Sequence, residues 1–298
     1  MMPKVTCFGE VLWDIFPTHK KIGGAPLNVA LRIQSFDNLT NIISRVGDDD
    51  DGKRSLDYIK QKGIDISTIQ IDKNHKTGCV NVTLDSKGSA SYEIEYPVAW
   101  DKIEISEKII EIVKSSDAFI FGSLVCRDEV SKQTLLKLLQ YATFKVFDVN
   151  LRPPFYSIEL LIQLMNKVEF IKCNDEELHE ICIVLGSKAT SIEDQVKFLS
   201  QKTNAEQICV TKGKDGAVLL YNDQYYSHKG YPVKVKDTVG AGDSFLATLI
   251  SKLLNGSKPE HALDFACAVG ALVAGKPGAN PQITTSEILN FIKNDQKK

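Results

Sequence analysis

The stretch Asp237-Thr238-Val239-Gly240-Ala241-Gly242-Asp243-Ser244-Phe245 sets a carboxylate directly after Gly-Ala-Gly. An apolar helical pattern follows at Phe245, Leu246, Leu249 and Leu253. Glycines let a backbone turn sharply and present its N–H groups. A helix that begins there leaves its first N–H groups unpaired and carries the positive end of its dipole. Such an end holds an anion, and a phosphoryl group suits it. The N–H groups of Gly240, Ala241 and Gly242 are then a candidate anion hole. Asp243 is the candidate catalytic base, beside the phosphate and in reach of an attacking hydroxyl. An ordinary N-cap at Asp237 or Thr238, with Asp243 as a first-turn acid, also accounts for these nine residues taken alone.

A second motif changes the balance. Gly23-Gly24-Ala25-Pro26-Leu27-Asn28-Val29-Ala30 follows a strand-like segment, residues 5–13, and opens a helix with apolar positions at Val29, Ile33 and Phe36. Gly23 and Gly24 allow a small ligand close to the backbone. Asn28 offers a donor and an acceptor, which suits a sugar hydroxyl. Asp14, expected at the end of the first strand, adds an acceptor. A plain turn with Asn28 as a cap is the alternative.

Together the two motifs resemble the ribokinase-like (PfkB) carbohydrate kinases, and the Gly-Gly-Ala-Pro-Leu-Asn-Val-Ala form is most similar to its fructokinases. Gly47-Asp48-Asp49-Asp50-Asp51-Gly52 looks like the family's Gly-x-Asp-x-x-Gly, and Asp148-Val149-Asn150-Leu151-Arg152 like its Asp-x-Asn-x-Arg. Asn174-Asp175-Glu176-Glu177 looks like its Asn-x-x-Glu, and Thr211-Lys212-Gly213-Lys214-Asp215-Gly216 like its nucleotide loop. These six patterns occur in the family's order. Thr248 departs from it, standing after Ala247 where many members have glycine.

The resemblance implies an α/β fold, a three-layer sandwich with a mostly parallel central sheet and a small β-sheet lid. It implies one kinase domain over 1–298, with a core of about residues 1–12, 28–76 and 101–298 and a lid of about residues 13–27 and 77–100. ATP is the implied phosphoryl donor. Mg2+ would arrive with it, since that ion keeps several waters and prefers phosphate oxygens. Asn174 and Glu177 are candidates for its water shell; a solvated helix face is the other reading of Glu177. Thr211, Gly213 and Gly216, with the region 275–281, would flank the adenine or form plain turns. Arg152 would touch phosphate or an anionic substrate, or else make a surface ion pair. The family's monovalent-cation position, a candidate site for K+, falls at Asp237 and Val239.

Composition narrows the field. The chain has 298 residues, 43% of them hydrophobic, and a net charge of −2. A large core is therefore possible, and no basic field favours nucleic acid. The longest apolar stretch, 262–274, is interrupted by Asp264 and too short to span a bilayer. No signal peptide is expected. Seven cysteines lie scattered without a C-x-x-C, which predicts reduced thiols and a cytoplasmic setting. The five histidines lack metal-ligand spacing, so no zinc site is expected.

The elements that must carry these residues alternate. Apolar runs at 5–9, 41–46, 118–121, 145–149, 170–173, 208–211 and 217–221 read as strands buried on both faces. Helical patterns cover 52–62, 106–114, 129–141, 175–185, 191–202, 241–254 and 259–275. Ligands in such sheets bind beyond the strand C-termini, where Asp14, Asp148, Asn150 and Asn174 are expected. Segments 78–84 and 89–96 alternate as a hairpin around Asp85-Ser86-Lys87-Gly88 and should join a strand from 15–22. Their free edges and apolar face predict a homodimer through the lid.

The predicted substrates are ATP and a neutral sugar, fructose. A sugar acid such as 2-keto-3-deoxygluconate is the runner-up. It needs an arginine for its carboxylate, and of the five arginines only Arg152 falls in a site motif. A nicotinamide dehydrogenase is disfavoured by the absence of G-x-G-x-x-G after the first strand, and a P-loop enzyme by the absence of G-x-x-x-x-G-K-[ST]. A non-catalytic sensor of sugar or nucleotide on the same fold is disfavoured because Asp243 and its glycines are intact.

Overall fold

The computed structural model describes residues 2–84 and 90–295. The chain opens with β1 (Lys4–Phe8), β2 (Leu12–Ile15), β3 (Lys20–Gly23), α1 (Ala25–Gln34), β4 (Leu39–Gly47), α2 (Asp50–Gln61) and β5 (Ile69–Asp72). It continues with β6 (Gly78–Leu84), β7 (Ala90–Ile94), α3 (Glu107–Lys114), β8 (Ala118–Gly122), α4 (Glu129–Leu138), β9 (Lys145–Asp148), α5 (Ile158–Met165) and β10 (Phe170–Asn174). The last part holds α6 (Asp175–Val184), α7 (Ile192–Lys202), β11 (Gln207–Thr211), β12 (Ala217–Tyr221), β13 (Gln224–His228), α8 (Ala241–Leu254), α9 (Pro259–Ala274) and α10 (Thr285–Asp295).

Nine strands form one sheet in the order β13-β12-β11-β10-β9-β8-β1-β4-β5. From β11 to β5 every pair is parallel; β12 and β13 add an antiparallel edge. Successive residues of one strand serve opposite cores, as the twofold repeat of a strand requires. Ala118 and Ile120 enter the cluster under α1, α8, α9 and α10. Phe119 and Phe121 enter the cluster under α3 to α7. Phe121 stacks on Phe147 at 5.2 Å, and each fully buried phenyl ring contributes about 1.5–3 kcal/mol. Helices on both faces of a parallel sheet make the three layers expected from the continuous apolar strands.

The first strand is shorter than the sequence suggested. It ends at Phe8, and Gly9, at φ 144°, turns the chain out of the sheet. Asp14 therefore does not cap a core strand. It lies in β2, within a separate sheet of order β3-β2-β6-β7. Here β2 pairs antiparallel with β3 and parallel with β6, and β6 pairs antiparallel with β7. The expected single strand from 15–22 is replaced by this β2–β3 pair, closed by Phe16 N–H donating to the His19 carbonyl at 2.9 Å. The expected turn Asp85-Ser86-Lys87-Gly88 lies outside the described residues.

The acidic loop before α2 joins the two sheets. Asp49 caps α2 through Gly52 N–H at 2.7 Å and also accepts from Thr77 N–H and Oγ1, at 2.8 and 2.7 Å, just before β6. Trp13 of β2 donates to Ser55 Oγ of α2 at 2.9 Å. The Gly-x-Asp-x-x-Gly pattern is thus a clasp between the core and the small sheet. Among the described residues no helix is long and apolar enough to cross a membrane.

Candidate active site

The C-terminal ends of β1, β8, β9, β10 and β11 lie side by side, and most of the predicted residues, Asp14 excepted, gather there and on the helices above. The helix α1 starts at Gly24, whose φ of 109° suits glycine. A Cβ on Gly24 would sit 2.3 Å from the Glu10 carbonyl oxygen, so no other residue fits. Pro26 stands in the first turn, where its missing N–H costs nothing. One turn further, Asn28 is buried and committed on both sides. Its Nδ2 donates to Asp243 Oδ2 at 2.8 Å, and its Oδ1 accepts from Asn280 Nδ2 at 2.7 Å.

The second motif forms the start of α8. Gly240 is left-handed at φ 75°, and a Cβ there would collide with Ala279 at 2.6 Å. The Ala241 N–H already donates to the Thr238 carbonyl at 3.2 Å, whereas among the described residues no acceptor meets the N–H of Gly240 or Gly242. Two of the three expected anion-hole donors are therefore open. Burial pushes the Asp243 carboxyl up to about 6, and the nearby Asp148 charge adds to the rise; Asn28, Lys172 and Arg152 oppose it. A helix N-terminus ordinarily strengthens a carboxylic acid. Here desolvation wins, which leaves Asp243 a better base than its position in the helix alone would make it.

Loop 275–281 proves to be a hub. Asp237 Oδ1 accepts from Val239 N–H and Oδ2 from Gly278 N–H, each at 3.0 Å. Arg32, one turn below Asn28, donates to Ser244 Oγ at 3.2 Å and to the Pro281 carbonyl at 3.0 Å. These bonds tie α1, α8 and the loop together around Asp243.

At the end of β10, Asn174 and Glu177 form a reciprocal cap for α6. Asn174 Oδ1 accepts from Glu177 N–H at 2.8 Å, and Glu177 Oε2 accepts from Asn174 N–H at 2.9 Å. Glu177 Oε1 accepts from Leu151 N–H at 2.8 Å. Glu177 is thus buried, not on a solvated face. Burial raises its pKa, with Lys172 opposing. Lys172 itself pairs with Asp148 Oδ1 at 2.9 Å, registered across β9 and β10. Arg152 is exposed, and it donates to the Leu151 carbonyl at 2.8 Å.

Asp14 stands apart in β2. Its carboxylate lies over Gly23, where a Cβ would be 2.7 Å from Oδ2. No donor among the described residues reaches it. Burial pushes its pKa up to about 6, with Lys21 opposing. Thr211 is registered against Asn174. Gly213 and Gly216 belong to a turn folded onto Gly230, since a Cβ on Gly216 would meet the Gly230 nitrogen at 2.3 Å. Among the described residues no three His, Cys, Asp or Glu side chains are gathered for a metal ion.

Glu10, Lys172, Arg32 and Asn280 lie in none of the site motifs. For the first two a signal existed, a charged residue inside an apolar run. Arg32 and Asn280 carried none.

A buried carboxylate of raised pKa beside open helix N–H groups, at the mouth of a three-layer α/β sheet, is an arrangement suited to phosphoryl transfer. The pfkB family of carbohydrate kinases matches residues 3–286, and the chain belongs to that family. The fructokinase of Solanum tuberosum is 28% identical over 314 residues, covering 97% of this chain and 95% of its own. The crystal structure of fructokinase with bound ATP from Xylella fastidiosa has a TM-score of 0.87 at 22% identity, covering 99% of this chain and all of that one. Fructokinase from Vibrio cholerae O395, a double mutant in a fructose, ADP and potassium ion bound form, has a TM-score of 0.84 at 22% identity over 98% of each chain.

Proposed function

We propose that this chain transfers the γ-phosphoryl group of ATP to a hydroxyl of a neutral sugar, fructose. One observation carries the reading: Asp243, beside the open N–H groups of Gly240 and Gly242, is hydrogen-bonded by Asn28 of the Gly-Gly motif. The base thus stands where an anion hole and a sugar-binding turn meet. The named fructokinase relatives support the choice of sugar. So does the state of the arginines. Arg127 is held by Asp101, Arg45 by Asp72 and Arg32 by Ser244, while Arg54 is exposed beside Asp51. Only Arg152 is left for an anionic group.

In this reading Asp14, and Asn28 through its second Nδ2 proton and second Oδ1 lone pair, bind sugar hydroxyls against Gly23 and Gly24. The sugar oxygen bonds to the γ-phosphorus, its proton passes to Asp243, and the bond from phosphorus to ADP breaks with its electron pair leaving on ADP. The transition state is loose, so alignment and charge stabilisation matter most. Each open anion-hole donor is worth roughly 3–4 kcal/mol by analogy with other anion holes. Thr211, Gly213, Gly216 and loop 275–281 flank the adenine.

Both Glu177 oxygens already accept backbone N–H groups, but carboxylate lone pairs remain. Asn174 and Glu177 therefore fit a hydrated Mg2+ carried by phosphate, held through its waters and not directly. The ion would neutralise phosphate charge. Asp237 and Val239 are the position for K+. The small sheet serves as a lid, and two lids pack together in a homodimer. Seven free thiols suit a reducing cytoplasm.

ADP release with Mg-ATP tests the reading on fructose, glucose, ribose and 2-keto-3-deoxygluconate. Fructose should give the highest kcat/KM. Preference for the keto acid would move the assignment to sugar acids, and no turnover with any sugar would refute kinase activity.

A further inference from the structure

A lysine is out of place in β10. Phe170, Ile171 and Cys173 are fully buried, as befits a strand covered on both faces. Lys172 is buried with them, at 6% exposure. An ammonium group taken from water is costly unless it is paired and hydrogen-bonded. One of its protons goes to Asp148 Oδ1 at 2.9 Å. The other two meet no acceptor among the described residues. Asp148 mirrors this, for its Oδ2 is sealed from solvent without a partner.

The unused donors have a direction. A Cβ built on Gly242 would lie 3.4 Å from Lys172 Nζ, so the ammonium sits against the first turn of α8. That turn holds the open N–H groups and Asp243. A position needed only to fill the core would be better served by an apolar residue of similar volume.

We propose that Lys172 is a further catalytic residue, whose ammonium, held by Asp148, contacts the transferring phosphoryl group at the start of α8. The proposal rests on the kinase reading above. In that reaction the sugar oxygen bonds to phosphorus, the pair of the breaking bond leaves on ADP, and the proton goes to Asp243. Charge stays on the equatorial phosphoryl oxygens, and Lys172 supplies its two free N–H donors there.

Lys172→Met with Asp148→Asn removes both charges together, so neither is left buried alone. Against Asp148→Asn, the double variant should lose about 10²- to 10³-fold in kcat at every pH. Its KM for fructose should stay within threefold. Affinity for ADP with aluminium fluoride and fructose should fall by the same factor as kcat, and affinity for ADP alone should not. A kcat within threefold of Asp148→Asn overturns the proposal. So does a change confined to the acid limb of the pH profile, since Lys172 would then act only through Asp243. A double variant that fails to fold makes the pair structural and overturns it too. Wild-type enzyme inactive on every sugar would instead refute the kinase reading, and the proposal with it.

Discussion

Glu10 should destabilise this protein at neutral pH. It follows β1 at 4% exposure, and its Oε2 has no hydrogen-bond partner. Burial pushes its carboxyl from an ordinary 4.5 up to about 7, with Arg152 and Arg127 opposing and Asp243 adding. Between pH 4.5 and 7 the unfolded chain gives up this proton while the folded chain keeps it. Stability then falls as pH rises, by about 1.4 kcal/mol per pH unit and about 3 kcal/mol in all. Above pH 7 the loss is complete. Glu10→Gln keeps the shape and cannot ionise. It should match the wild type near pH 4.5 and exceed it by about 3 kcal/mol at pH 8, which is roughly 5 °C in Tm for a chain of this size. Urea unfolding at both pH values reads the difference directly. A variant less stable than wild type at pH 8 would refute the reasoning, because it would mean an ionised Glu10 stabilised by Arg152 and Arg127.

Four further outcomes are expected. In the proposed reaction Asp243 works ionised, and with its pKa raised to about 6, kcat should climb as pH rises through 6 and be about tenfold down at pH 5. Asp243→Asn should lose orders of magnitude in turnover at every pH while sugar binding persists. Asp14→Ala should raise KM for fructose about 5- to 150-fold, the equivalent of about 1–3 kcal/mol, with KM for ATP little changed; equal effects on both would remove Asp14 from the sugar. Sedimentation at micromolar concentration should show a dimer that charge substitutions in β6 weaken, and a strictly monomeric active enzyme would show that the small sheet needs no partner.

Local chemistry was legible in the sequence, and long-range chemistry was not. Gly240, Gly242 and Asp243 lie within one helical turn, so nine residues sufficed to read their local geometry. Strands such as Ala118–Gly122 were legible because burial on both faces leaves an unbroken apolar run. The edges were not. The strand Ile69–Asp72 is four residues long, and Gln224–His228 is mostly polar and aromatic at the rim of the sheet. The helix Ile158–Met165 is only eight residues long and largely apolar, a run that pattern alone does not distinguish from a buried strand. Asp14 was misplaced because the apolar run 5–13 hides the break at Gly9. Nothing in a local pattern tells that Asn28 spends its amide on Asp243, or that Arg32 holds loop 275–281.

The pairing of Asn28 with Asp243 and Asn280 has a consequence for the order of folding. Asn28 meets one partner 215 residues later in the chain and the other 252 residues later. Closing a loop of that length costs about 5 kcal/mol of chain entropy, with no local contact to offset it. No early fragment can therefore hold the arrangement of Asn28, Asp243 and Asn280. During synthesis the Gly23-Gly24 turn emerges first and waits for nearly the entire chain. Phosphoryl transfer begins only once the last tenth of the polypeptide has docked, so the appearance of activity would report complete folding more faithfully than the appearance of helix.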